Sequence, residues 1–349
     1  MNETRISRRD VIKIAASGSL FLLPPAGPLL AQEQIGKFDL AVGTVDTFYT
    51  VAYVTFASGY FKAEGLDVGY VNANSGPRAA QMLTASQSFI SLGGASDPMT
   101  ISVAGKEANL IFGLDDRITY ANLLVHKDNF ESGKIKKVSD LAGQTIACTQ
   151  PKSSSWLMAA IIAERAGIRD KIDIRGLGDL VTLLGAVKTK QVGASIATMS
   201  MLESATREGW GTTLFDCTDD AAWNQTFGGE IPGLAAYVLT DSIRRRPKEV
   251  QAFVNAMAKG QDYINKNSAR AITDLIHKDF LASYPKEAVE KTVALYKEKV
   301  WSKNNMVSAA SYNRLLDMYR GRLFDDQEVA RVPYEKVVDM SFLARARKA

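Results

Sequence analysis

A regular alternation of short apolar runs with amphipathic helical stretches limits the folds open to this chain more than any single motif does. From Lys37 the order is strand, helix, strand, helix, the pattern of an α/β protein whose mainly parallel sheets are covered by helices. Strands are expected at residues 38–43, 66–72, 89–92 and 110–114, with helices at 52–64 and 79–86 between them. A second series follows, with strands at 145–148, 172–175, 194–198 and 213–215 and helices at 154–166, 180–188 and 201–208. The clearest helix is 247–264, where Val250, Phe253, Val254, Met257 and Ile264 share one face and Pro247 sits in the first turn. Beyond it the chain reads mostly helical.

Two series suggest two similar α/β units, and 349 residues suffice for two. A short echo fits: 82–92 and 186–196 each run from a helix end through Gln87 or Gln191 into a strand, with Ser91 matching Ser195. The polar, turn-rich stretch 127–138 and the glycine-rich stretch 228–233, followed by an apolar strand at 234–239, enclose the second series as linkers would. The division expected from this is 32–124 as the first part of lobe 1, 125–233 as lobe 2, and 234–349 as the mostly helical second part of lobe 1. A block inserted in this way leaves a two-strand hinge, about which two lobes can close on a ligand held in the cleft.

Residues 1–31 stand apart from this pattern. Ser7-Arg8-Arg9-Asp10-Val11-Ile12-Lys13 resembles the bacterial twin-arginine export motif, and an apolar stretch at 14–23 follows it. Pro24-Pro25 then breaks any helix, and Leu29-Leu30-Ala31 offers a small residue for cleavage. The signal peptide is therefore 1–31, cleaved near Ala31, with the exported chain starting near Gln32 in the periplasm. The apolar stretch is about half of the ~20 residues that a spanning helix needs. In that oxidising compartment Cys148 and Cys217, each at the end of an expected strand, could pair, but two buried free thiols are the favoured reading.

Composition removes several classes of function. With 42 basic against 38 acidic residues there is no broad electrostatic footprint for nucleic acid. Two cysteines and two histidines are too few for a Cys/His metal cluster. No G-x-S-x-G, H-E-x-x-H, C-x-x-C or Walker loop occurs. Gly176-Leu177-Gly178 precedes a helix as a dinucleotide loop would, but Val181 stands where a third glycine is needed. No catalytic residue is assigned, and no feature asks for a metal or an organic cofactor.

What does recur is a set of loops rich in hydroxyls and glycine at the C-terminal ends of strands. They are Gly43-Thr44-Val45-Asp46-Thr47, Asn74-Ser75-Gly76, Gly93-Gly94-Ala95-Ser96-Asp97 and Thr149-Gln150-Pro151-Lys152-Ser153-Ser154-Ser155. Ligands bind at that edge of parallel α/β sheets, and the helix starts that follow favour an anion through their free N–H groups and dipoles. The serines compete for another role, capping the helix. Phe48, Tyr49, Trp156 and Trp223 lie in or beside such loops and could wall a pocket. Arg78 and Lys152 are the cations best placed for an acidic group, arginine offering it a bidentate fork.

Five segments carry a family resemblance. They are Gly59-Tyr60-Phe61-Lys62-Ala63-Glu64-Gly65-Leu66-Asp67-Val68, Asn74-Ser75-Gly76, Val138-Ser139-Asp140-Leu141-Ala142-Gly143-Gln144-Thr145-Ile146-Ala147, Arg246-Pro247-Lys248-Glu249-Val250-Gln251-Ala252-Phe253 and Val338-Asp339-Met340-Ser341-Phe342-Leu343. In these the chain resembles the periplasmic solute-binding proteins of ABC importers of the nitrate/sulfonate/taurine type, whose relatives also bind pyrimidine precursors of thiamine. The resemblance spans nearly all of the exported chain. It implies a type II periplasmic-binding-protein fold, no catalysis, capture of a small organic anion (a sulfonate or carboxylate, aliphatic or aromatic), and delivery by a monomer to an ABC permease in the inner membrane.

It also implies ligand contacts from Asp46, Thr47, Phe48, Tyr49, Ser75, Ser96, Ser154, Ser155 and Trp156; Arg78, Asp97, Thr198 and Trp223 complete the candidate set. Thr198-Met199-Ser200-Met201 replaces a tryptophan-acid-proline-like segment common in the family, and Trp156 is bulkier than many members carry. Both changes favour an organic solute with an apolar or aromatic body over nitrate. An enzyme on the same fold, related to thiamine-pyrimidine or menaquinone biosynthesis, is the alternative, and a sensory protein that presents its ligand to a membrane receptor is another. The export signal argues against the enzyme.

Overall fold

The computed structural model describes residues 34–348; the expected export segment and its cleavage site lie outside them. Ten strands form two five-stranded sheets. In chain order they are β1 (Gly36–Val42), β2 (Leu66–Asn72), β3 (Ile90–Gly94), β4 (Ala108–Gly113), β5 (Asn122–His126), β6 (Thr145–Cys148), β7 (Asp173–Gly176), β8 (Ala194–Ala197), β9 (Gly211–Phe215) and β10 (Leu234–Leu239). The first sheet has the order β2-β1-β3-β10-β4, in which β1 pairs in parallel with β2 and β3, and β10 runs antiparallel to β3 and β4. The second repeats the plan as β7-β6-β8-β5-β9, with β5 as the antiparallel member. The fold is the two-lobed α/β arrangement expected from the sequence.

Helices α1 (Thr50–Ala57), α2 (Tyr60–Ala63), α3 (Gly76–Thr84), α4 (Asp97–Val103), α5 (Lys127–Glu131), α6 (Ser154–Arg165), α7 (Leu180–Lys188), α8 (Met199–Arg207) and α9 (Asp220–Phe227) lie between the strands. After β10 come α10 (Thr240–Arg245), α11 (Pro247–Lys266), α12 (Ala269–Phe280), α13 (Lys286–Lys299), α14 (Ala309–Tyr319), α15 (Asp326–Ala330), α16 (Tyr334–Val337) and α17 (Ser341–Ala346). Strands β3, β4, β5 and β8 are buried at every residue. Helices cover both faces of these strands, which is why they read as continuous apolar runs rather than alternating ones. The edge strand β7 instead alternates exposed with half-buried positions.

The echo between 82–92 and 186–196 falls on equivalent places. Ser91 of β3 stands between Ala41 and Tyr237, and Ser195 of β8 between Ala147 and Leu124, at matching registers. Each preceding helix ends through a left-handed residue, Ser86 (φ 59°) or Lys190 (φ 58°). The amide of Gln87 then reaches back to Met82 O at 2.8 Å and that of Gln191 to Ala186 O at 2.9 Å, the helix-closing bonds that fix the turn into the strand.

Several expectations need correction. The helix expected at 52–64 is two helices, because Gly59 takes φ +69° between α1 and α2. Strand β5 lies wholly in the second sheet, so the chain crosses between sheets over 114–121, ahead of the stretch 127–138, and a boundary at 124/125 would cut the strand. Residues 234–349 do not all pack on the first sheet: α11 packs against α1, α2 and α17, but α13 also packs against α8, and α14 against α6. Ion pairs tie this part of the chain to the second lobe, Lys299 of α13 to Asp220 at 2.9 Å and Arg322, in the turn after α14, to Glu164 at 2.8 Å. Cys148 and Cys217 need no correction: both are free and buried, as the favoured reading has them.

The two crossing segments, 114–121 and 228–233, are hydrogen-bonded together. Leu114 N donates to Leu234 O at 2.9 Å and Ile231 N to Asp116 O at 3.0 Å. The Asp115 carboxylate accepts from the amides of Gly233 (2.6 Å) and Leu234 (3.0 Å). A Cβ at Gly233 would stand 2.7 Å from the Ile118 backbone, so this approach requires glycine.

Candidate functional site

The loops after β1, β2 and β3 of the first sheet meet those after β6 and β8 of the second. Together they line a narrow cleft of about 80 Å³. It adjoins a wider recess of about 550 Å³, with Pro77, Asp97, Ser153 and Ser154 shared between the two. The order of strands brings the loops here: β1 and β3 are neighbours at the centre of one sheet, and β6 and β8 at the centre of the other.

Of the helices that open at the cleft, α3, α6 and α8 each have a capping hydroxyl. Ser75 accepts from Arg78 N (3.4 Å) at α3, Ser153 from Trp156 N (3.3 Å) at α6, and Thr198 from Met201 N (3.3 Å) at α8. All three caps line the cleft, so the positive ends of helices from both lobes converge there. Phe48, Tyr49 and Tyr120 supply aromatic wall, with Leu180, Ile196 and Leu234 as apolar lining. The cleft can therefore take up acceptor oxygens and an apolar body together.

Hydroxyls and one carboxylate join the two sides. Ser96 Oγ and Ser154 Oγ stand 2.9 Å apart, and Ser154 Oγ lies 3.3 Å from the Tyr319 hydroxyl. Asp46 accepts from Thr198 (2.8 Å) and Ser200 (3.1 Å) of the second lobe, from Thr47 (3.0 Å) and from Tyr284 (3.4 Å). Thr47 and Ser200 hydroxyls are themselves 2.7 Å apart. Burial raises the Asp46 carboxyl above the ordinary range, and the Thr198, Thr47 and Ser200 hydroxyls oppose that rise. Asp97 is pushed up to about 6 by burial, against the opposing bonds from Tyr237 and the Gly94 amide. The phenols of Tyr49, Tyr120 and Tyr237 are held well above their usual value by burial.

Of the residues expected from the sequence, Phe48, Tyr49, Ser75, Asp97, Ser154, Ser155 and Thr198 line the narrow cleft, and Ser96, Asp97 and Ser154 the recess. Others fall elsewhere. Asp46 and Thr47 are fully buried beneath the cleft, their oxygens used up in joining the lobes. Arg78 is exposed and its side chain lines neither space. Trp156 packs under the Arg169 guanidinium, 5.3 Å from the ring centre. Trp223 is 1% exposed, stacks near Phe227 and donates to Gly229 O at 2.8 Å, beside the return crossing. Lys152 lines the recess. Ser155 Oγ turns back on its own loop, to Thr149 Oγ1 (2.8 Å) and Ser153 Oγ (2.9 Å), and Ser153 makes the cap. Sequence reasoning missed Tyr120, Tyr237 and Tyr319, which no local signal joins to the strand-end loops. Ser200 had one available clue, its place two residues past Thr198.

The model of the family described as NMT1/THI5 like matches residues 47–271. The Bacillus subtilis (strain 168) protein YtlA is 24% identical over 288 residues, which are 82% of this chain and 83% of that one. Among solved structures, the periplasmic nitrate-binding protein NrtA from Synechocystis PCC 6803 is similar with a TM-score of 0.73 at 12% identity, covering 90% of this chain and 89% of its own. The alkanesulfonate-binding protein SsuA from Xanthomonas axonopodis pv. citri, bound to MOPS, is similar with a TM-score of 0.67 at 14% identity, covering 90% of this chain and 99% of its own. At such identities the likeness is one of fold, that of periplasmic binding proteins.

Proposed function

The chain belongs to the NMT1/THI5-like family, and from that premise we propose that it is the solute-binding component of an ABC importer. It captures a small organic anion between its lobes in the periplasm and hands it to a permease in the inner membrane. It reaches the periplasm by the twin-arginine route, loses its signal peptide near Ala31, and works as a monomer. The observation that carries this reading is the convergence of three capped helix N-termini, from both lobes, on one cleft.

The chemistry follows from the lining. Helix N–H groups and the hydroxyls of Ser75 and Ser154 meet the acidic group, while Phe48, Tyr49 and Tyr120 hold an apolar or aromatic body. Among the described residues no lysine or arginine lines the narrow cleft, so the charge is met by oriented dipoles. Motion about the paired crossings at 114–121 and 228–233 opens and closes the cleft. The wider recess gives a larger solute room to extend beyond the serines.

Thermal unfolding against a panel of solutes tests this. The panel holds nitrate, taurine, alkyl and aryl sulfonates, aromatic carboxylates and pyrimidines, applied to protein that has been unfolded and refolded to strip any solute. A ligand at a hundred times its dissociation constant adds about 2.7 kcal/mol, which moves the midpoint by a few degrees. The expected result is a selective shift by an organic anion, with the solute recovered unchanged. A refolded protein that ignores every anion would overturn the reading, and conversion of the bound molecule would replace transport by catalysis.

A further inference from the structure

Helix N-termini and hydroxyls account for the acidic end of a solute, but one group at the cleft has the opposite sign. Asp97, 9% exposed, opens α4 and lines both the narrow cleft and the recess, at their junction. Its Oδ2 is committed, accepting from the Gly94 amide at 2.9 Å and from the Tyr237 hydroxyl at 2.8 Å. Its Oδ1 has no hydrogen-bond partner among the described residues. The backbone is shaped for this carboxylate: a Cβ at Gly93 would lie 2.6 Å from Oδ2 and 2.8 Å from the Tyr237 hydroxyl.

The ionisable groups facing Asp97 are Tyr49 on the β1 side, Tyr120 from the crossing, Tyr237 from β10 and Tyr319 from α14. None of these is a cation; Lys106 and Lys152 line the recess that Asp97 borders, but among the described residues neither forms an ion pair with it. A carboxylate buried without a counter-charge is costly unless something satisfies it. A bare anion in the cleft would add repulsion. Resting on the reading of this cleft as the solute site, we infer that the solute also carries a hydrogen-bond donor (an ammonium, amide or ring N–H) that seats on Oδ1 of Asp97. The protein thus selects molecules with an acidic end and a donor, and discriminates against anions that lack the donor. A site built around an unpaired acceptor rejects the analogue that cannot pair it.

Matched probes separate this from the anion reading. Taurine against ethanesulfonate, 4-(aminomethyl)benzoate against 4-methylbenzoate, and sulfanilate against benzenesulfonate differ only in the donor. Calorimetric titration of the stripped wild type and of Asp97→Asn at pH 7.5 gives the affinities. The expected result is that in at least one pair the donor-bearing member binds about tenfold or more tightly than its mate. Asp97→Asn brings the two within about threefold without weakening the donor-free member. Because burial holds the Asp97 carboxyl near 6, the preference should also be smaller at pH 5 than at pH 7.5.

Donor-free anions that bind as tightly as their mates overturn the inference while leaving the anion pocket standing. So does a preference that survives Asp97→Asn. As a second readout, mass spectrometry of solute released from the unstripped protein should find a molecule with an N–H donor, and a released anion without one sinks the proposal. If no probe binds and no solute is released, the solute-site reading fails and takes this one with it.

Discussion

Replacing Asp97 by asparagine should stabilise the protein, and the structure fixes both the size and the pH window of the gain. Both bonds to this carboxylate land on Oδ2, so an amide can keep them on its carbonyl oxygen and point its NH₂ along the free Oδ1 direction. What is lost is the buried charge. The wild-type carboxyl rises from 3.8 in the unfolded chain to about 6 in the fold. A raised folded value means that the native state holds its proton while the unfolded state gives it up. Wild-type stability therefore falls as pH rises from about 4 to about 6, and is level above that. A shift of about two units corresponds to about 3 kcal/mol.

The variant has no such loss. Urea unfolding followed by tryptophan fluorescence should show Asp97→Asn more stable by about 3 kcal/mol at pH 7.5, with the gap closing toward pH 3.5 and the denaturant slope unchanged. Asp46, Asp115 and Asp116 also have raised carboxyls, but they are present in both proteins and drop out of the difference. A variant less stable than wild type at pH 7.5, or a gap of the same size at pH 3.5, would refute the reasoning. The first would mean that the amide cannot keep the two bonds; the second, that packing rather than charge sets the effect.

Asp46→Ala should have the opposite sign. It takes the acceptor from Thr198 and from one member of the Thr47–Ser200 pair, at about 1–3 kcal/mol for each orphaned hydroxyl. Urea unfolding should show a loss of about 2–6 kcal/mol, and a loss below about 1 kcal/mol would mean that the joint between the lobes is not held there. Ser154→Ala should weaken the solute found by thermal screening, whereas Arg78→Ala, whose side chain lies outside the cleft, should leave the shift as it is. Burial raises the thiols, Cys148 to about 12 and Cys217 further, so a thiol reagent at pH 8 should label neither in the native protein and both after unfolding. Rapid native labelling would contradict their burial.

The fold was legible where burial leaves its mark on neighbouring residues. Strands such as β6 and β10 sit in apolar runs closed by turn residues, and α11 carries its buried face at helical spacing. Strand β5 is not among the strands expected from the sequence, because nothing local tells that it will pair antiparallel with β8 and β9, some 70 and 90 residues further on. The division of the C-terminal helices was hidden for a related reason: a helix has one sequence pattern for its buried side, and α13 uses parts of it against both lobes.

At the site, position in the chain predicted which loops gather, since strand-end loops of central strands must meet at one edge. It did not predict direction. Arg78 and Trp156 each follow a capping serine by three residues, and rotation about the helix turns their side chains away from the cleft that their backbones border. Asp46 looked like a ligand contact because its loop is at the cleft. Its partners Thr198 and Ser200 lie more than 150 residues away, and only the fold shows that they satisfy it.

The exchange of antiparallel strands sets a timetable for synthesis. Strand β10 fills the gap between β3 and β4, yet it is made about 140 residues after β3. At ribosomal rates of about 5–20 residues per second, the first sheet waits about 7–30 s with two open edges facing each other across a missing strand. Those edges belong to fully buried, apolar strands, the kind that recruits other chains. Strand β5, by contrast, is finished before β8 and β9 and can wait for them. The second lobe can therefore complete its sheet on the ribosome before the first one does, and the nascent chain most exposed to aggregation is the one that has passed Gly113 but not yet reached Leu239.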